Sequence, residues 1–78
     1  MDSRTALAER IALQRAWLAA ASALADARAD RKLDLPAYRR ELAALHAAGA
    51  SVRFLAAATG TASSTVGDDI RHGRTAHQ

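Results

Sequence analysis

Residues 49 to 71 read Gly-Ala-Ser-Val-Arg-Phe-Leu-Ala-Ala-Ala-Thr-Gly-Thr-Ala-Ser-Ser-Thr-Val-Gly-Asp-Asp-Ile-Arg. Ser51 has the side-chain acceptor that an N-cap needs, so the stretch predicts a short helix from Val52 to about Thr59. Gly60 ends it, because the residue after a helix often takes a positive φ that glycine adopts freely. After the turn Gly60-Thr61-Ala62, Ser63 or Ser64 caps a further helix that reaches about His72, and Gly73 closes it. The apolar residues are spaced as two crossing helices require. Leu55 is followed by the small Ala56, where the second helix can approach closely. Val66, six residues beyond Gly60, and Ile70, one turn further on, pack back against that crossing.

Upstream, Gly49 is placed as the C′ residue of a helix from about Pro36 to Ala48. Asp34 or Leu35 sits at its cap, and Pro36 suits its first turn. Leu42 and Leu45 point inward in this helix, with Arg39, Arg40 and Glu41 largely outward. The charged connector Asp30-Arg31-Lys32-Leu33-Asp34-Leu35 separates it from the N-terminal part of the chain.

Residues 3 to about 29 lack Gly and Pro and are rich in strong helix formers, which predicts one long helix capped by Ser3. Its large side chains fall into two stripes. Leu7, Ile11 and Leu18 lie within about 40° of one another, and Leu13, Trp17 and Leu24 form a second group about 120° away. Two arrangements fit. The helix meets its own domain on one stripe and a second copy on the other, or it buries one wide face in a monomeric bundle. Ala12, Ala16, Ala19 and Ala23 form a third, smooth face.

The 78 residues allow one small domain with at most an added helix, and exclude a two-lobed enzyme. By count 22 residues are alanine, and only Trp17, Tyr38 and Phe54 are aromatic, so the core rests on few large side chains. Without cysteine there is no disulfide or thiolate metal site, and oligomerisation is the expected supplement. The β-branched residues never alternate, so no strand is expected. The expected fold is all-α: a long N-terminal helix and connector over 1–34, serving oligomerisation, a tri-helical unit over 35–73, and a flexible tail over 74–78.

The stretch from about 37 to 72 resembles the helix-turn-helix of bacterial and phage DNA-binding proteins, of the tri-helical class that includes homeodomain-like and sigma region 4-like domains. The resemblance is carried by Leu55-Ala56, Gly60, Val66 and Ile70. Four positions depart from the family pattern. Thr61 stands where a larger apolar residue is usual. Ala62 replaces the customary Ser cap, which passes the role to Ser63. Asp68 and Asp69 stand in the second motif helix where a basic residue is common.

The resemblance implies double-stranded DNA as partner, and site roles follow from how such helices dock. Ser63, Ser64, Thr65 and Asp68 would meet base edges. Arg53, Arg71, His72 and Arg74 would meet phosphates. Arg39 and Arg40 either reach the DNA backbone as well or form a solvated face. Asp68 either accepts from a cytosine amino group or pairs with Arg71 and His72 on its own helix. The net charge of +3, carried by ten Arg and one Lys, is compatible with a polyanion. Few charges serve each copy, so a homodimer joined by Leu7, Ile11, Leu13, Trp17, Leu18 and Leu24 is expected.

Catalysis finds no foothold. His46, His72 and His77 lack a histidine at i+4, the adjacent Asp68 and Asp69 diverge on a helix, and no glycine-rich phosphate loop occurs. No enzyme activity, cofactor or metal is expected. The uncharged, alanine-rich run Ala16 to Ala25 is well short of the roughly 20 apolar residues of a membrane span. Ala25-Asp26-Ala27 imitates a signal-cleavage site, but the residues before it carry Asp2 and Glu9 and read as an amphipathic helix. The expectation is a cytoplasmic transcriptional regulator of bacterial, phage or plasmid origin. Two alternatives use the same residues: an adaptor to RNA polymerase, a sigma factor or another regulator, with the helix-turn-helix as scaffold, or a DNA-packaging or recombination accessory protein.

Overall fold

A computed structural model describes residues 2–75. The chain is all-α: α1 (Ser3–Ala29), α2 (Leu35–Ala47), α3 (Val52–Thr59) and α4 (Ser63–Thr75). No strand occurs among the described residues.

Local chemistry sets most of the boundaries. Asp34 Oδ1 accepts from the Ala37 N–H at 2.9 Å and opens α2, with Pro36 in the first turn. Ser51 Oγ accepts from the Phe54 N–H at 3.1 Å and opens α3. Gly60, at φ 69°, closes α3 in the left-handed conformation. The Gly60 and Thr61 N–H groups both donate to the Ala56 carbonyl, which satisfies a free acceptor at the helix end.

Three expected termini are corrected. The cap of α1 is Asp2, not Ser3: its carboxylate accepts from the Arg4 N–H at 3.2 Å. Both residues can cap, and the helix begins one position earlier. Ser63 is the first residue of α4 rather than its cap, because the Val66 N–H already donates to the Ala62 carbonyl. Gly73 does not end α4. The helix continues through Arg74 to Thr75, and the rest of the expected tail, 76–78, lies outside the described residues.

One core joins all four helices. Ala21 from α1, Tyr38, Leu42 and Ala43 from α2, Leu55 and Ala56 from α3, and Val66 and Ile70 from α4 are buried together with Ala50. Leu42, Leu55 and Val66 are its largest fully buried side chains. The Trp17 ring meets Phe54 edge-on, with centroids 6.1 Å apart and planes at 76°, an arrangement that aromatic pairs favour. Gly49, at φ 123°, lies beneath the same indole: a Cβ there would stand 3.2 Å from two ring carbons.

α1 is longer than the body it packs on. Its 27 residues span about 40 Å, close to the 42 Å longest dimension of the molecule. Its second half, from Trp17, carries the side chains that reach the core. Along residues 2–16 every side chain but Ala6 is exposed.

Candidate nucleic-acid interface

α4 carries most of the expected site, and its two faces differ sharply. Val66, Asp69, Ile70 and Gly73 form the buried stripe, at the i, i+3, i+4, i+7 spacing of a helix packed on one side. Ser63, Ser64, Thr65, Asp68, Arg71, His72 and Arg74 are all exposed. At 100° per residue, Ser64, Asp68 and Arg71 stand nearly opposite the buried stripe. Thr65 and His72 border that outer face on one side, Ser63 and Arg74 on the other. Arg53, at the start of α3, is exposed as well, and Arg40 on α2 is half-buried.

The two carboxylates of α4 are held in different ways. Asp68 lies 3.6 Å from Arg71 Nη1 in an exposed i, i+3 pair. The expected pairing of Asp68 with His72 takes another form: His72 Nδ1 is 2.8 Å from the Asp68 main-chain carbonyl, not its side chain. A carbonyl only accepts, so Nδ1 carries the hydrogen. Asp69 is buried, at 7% exposure, and accepts from Arg39 Nε at 3.0 Å. That contact corrects the outward placement of Arg39. Its guanidinium turns across the helix pair to α4, because a buried carboxylate needs a charged or hydrogen-bonding partner.

Gly73 belongs to the same crossing. A Cβ on Gly73 would overlap the Arg39 carbonyl, so the α4 backbone lies directly on the α2 backbone there. The Arg39–Asp69 pair and the Gly73 contact together fix how α4 sits on α2, and therefore where its outer face points. Neither was legible in the sequence, where Arg39 and Asp69 stand 30 positions apart.

The residues expected at an interface between copies divide into two groups. Trp17 and Leu24 pack on the chain's own core. Leu7, Ile11, Leu13 and Leu18 remain exposed, at 56%, 41%, 47% and 48%. The smooth alanine face, Ala12, Ala16, Ala19 and Ala23, is exposed too. An open, mostly apolar groove of about 410 Å³ runs between the second half of α1 and α2, lined by Ala20, Ala23, Leu24, Leu33 and Leu45, with Glu41 as its one charged residue. Among the described residues no three His, Asp or Glu side chains gather as a metal site would require. No helix among them is long and apolar enough to cross a membrane.

Comparison with known proteins gives no match: no family, no curated protein and no solved structure is significantly similar to the chain.

Proposed function

We propose that the chain is a small helix-turn-helix DNA-binding protein that acts as a homodimer in transcriptional control in the cytoplasm. One observation carries the reading. Leu55, Ala56, Val66 and Ile70, the positions on which the resemblance rests, are buried at 0%, 8%, 0% and 4%, and left-handed Gly60 turns the chain between them. α3 then serves as the first motif helix and α4 as the recognition helix. The tri-helical unit is α2 to α4, at 35–73, and the first half of α1 is the pairing device.

In this reading Ser64, Thr65 and Ser63 at the start of α4 meet base edges in the major groove. Short hydroxyls discriminate bases weakly, so specificity leans on bridging water, DNA shape and half-site spacing. Arg53, Arg71 and Arg74 bind phosphates, with His72 and Arg40 at the margin. Arg39 is committed to Asp69 and serves as a positioning residue for α4. Asp69, buried against Arg39, presents no charge to the polyanion, which leaves Asp68 as the acidic residue near bases. The test is a gel-shift with genomic fragments over a salt series. Retardation that weakens as salt rises is the expected result, and no retardation at low salt overturns the reading.

A second reading is favoured by the exposed aliphatic side chains of α1: an adaptor that docks on another regulator and uses the helix-turn-helix as scaffold. It predicts a partner protein lost on Leu13→Glu, together with no DNA retention at low salt.

A further inference from the structure

We propose that Asp68 is the specificity-determining residue of α4 and selects cytosine, by accepting from the exocyclic amino group of that base. This rests on the DNA reading above and deepens it from a class of partner to one base. The two adjacent carboxylates of α4 have separate fates. Asp69 turns inward and accepts from Arg39 Nε at 3.0 Å. Asp68 turns outward, its side chain 61% exposed. It stands nearly opposite the stripe of Val66, Asp69, Ile70 and Gly73 that packs on the body. It thus lies on the face that enters the major groove, about 6 Å along the axis from Ser64, one turn earlier.

The Asp68 carboxylate keeps acceptor capacity for a ligand. An ionised carboxylate only accepts, through two oxygens. Its one ion pair among the described residues is with Arg71, whose Nη1 is 3.6 Å from Oδ1, longer than an N–H···O hydrogen bond. His72 donates through Nδ1 to the Asp68 main-chain carbonyl and occupies neither carboxylate oxygen. Arg71 therefore offsets the negative charge near phosphates and leaves the hydrogen-bonding directions of Asp68 open.

Base chemistry then selects the donor. The major groove offers a carboxylate two amino groups, cytosine N4 and adenine N6. In an A·T pair the N6 group lies between two acceptors, adenine N7 and thymine O4, and both repel a carboxylate. In a G·C pair the N4 group has an acceptor, guanine O6, on one side and the C5–H edge on the other. Guanine and thymine present only acceptors and no donor. Cytosine is thus the base that an outward Asp68 accommodates best. The Ser64 hydroxyl both donates and accepts, so it tolerates either kind of edge and leaves the choice of base to Asp68.

The test is selection of duplexes from a random library by the full chain at low salt, for the wild type, Asp68→Asn and Asp68→Ala. Wild-type sites should share a fixed cytosine, and changing it to A, G or T in one duplex should weaken binding about tenfold or more. Asparagine matches adenine N6 and N7, so Asp68→Asn should move the preference at that position from cytosine to adenine and leave the other positions as they were. Asp68→Ala should lose the preference and gain no other. Wild-type sites without a fixed cytosine, or the same fixed cytosine in both variants, overturn the proposal and leave DNA binding in place. A wild type that retains no duplex overturns the DNA reading itself, and this proposal with it. The wild-type selection decides even where a variant fails to fold.

Discussion

Arg39 Nε donates to Asp69 Oδ1 across 3.0 Å, and this ion pair ties α2 to α4 at the base of the exposed α4 face. The two partners are unequally buried: the Arg39 side chain keeps 29% of its exposure and the Asp69 side chain 10%. Removing one partner costs most when it strands the more buried charge. Arg39→Ala should therefore destabilise the protein by about 2–3 kcal/mol, and Asp69→Ala by about 1–2 kcal/mol, since a stranded guanidinium still reaches water. Urea denaturation of the two variants and of the double variant measures this. Equal losses, or single losses that simply add in the double variant, would remove the pair as a coupled unit.

Two glycines of α4 should respond to the same substitution with opposite signs. A Cβ at Gly73 overlaps the Arg39 carbonyl, and neither backbone can move without separating the helices. Gly73→Ala should cost about 2–3 kcal/mol, the upper range for an overpacked contact. A Cβ at Gly67 meets nothing within 4 Å. Gly67→Ala should add about 0.5–1 kcal/mol, the difference in helix propensity. Thermal melts of both variants check the pair. A neutral Gly73→Ala would show that the crossing is looser than described.

These two positions mark where sequence reasoning runs out. The capping residues Asp34 and Ser51, the left-handed Gly60 and the burial of Leu55, Ala56, Val66 and Ile70 are local or periodic features that the sequence itself carries. The role of Gly73 is not such a feature, because a glycine followed by Arg74 near the chain end has the same local signature as a helix stop. Whether it ends a helix or admits a neighbour depends on α2, far away in sequence. Arg39 and Asp69 each resemble an ordinary solvated charge on a helix, and only the crossing of α2 with α4 brings them together. Trp17 was one of two equivalent stripes by periodicity. Its contacts with Phe54 and Gly49 decide that it faces the core.

The connector after α1 hides a strained residue. Arg31 has φ 59°, the one positive value among the described non-glycine residues. The Lys32 N–H donates to the Ala27 carbonyl at 2.9 Å, so Arg31 occupies the left-handed position of a helix C-terminal turn that glycine usually fills. The left-handed conformation costs an L-residue about 1–2 kcal/mol, while glycine loses about 0.5–1 kcal/mol more backbone entropy on folding. Arg31→Gly should therefore raise stability by up to about 1 kcal/mol, and Arg31→Val should lower it. A melting temperature that falls for Arg31→Gly would refute this account of the turn.

The exposed pair Asp68–Arg71 makes a prediction about DNA affinity in which the two partners act in opposite directions. At 3.6 Å, with side chains 61% and 76% exposed, the pair contributes little to folding. On a polyanion it matters more. In the proposed DNA complex Arg71→Ala would remove a phosphate contact and leave Asp68 uncompensated, so affinity should fall for every DNA sequence and the salt slope should shrink by about 1. Asp68→Asn removes the repulsive charge and frees Arg71, so binding to non-specific DNA should strengthen several-fold while discrimination between sequences narrows. Fluorescence anisotropy with specific and random duplexes at two salt concentrations separates these effects. If Asp68→Asn weakens the specific duplex alone, Asp68 accepts from a base, as a carboxylate does from a cytosine amino group. If both variants leave binding unchanged, the outer face of α4 is not the DNA-reading surface.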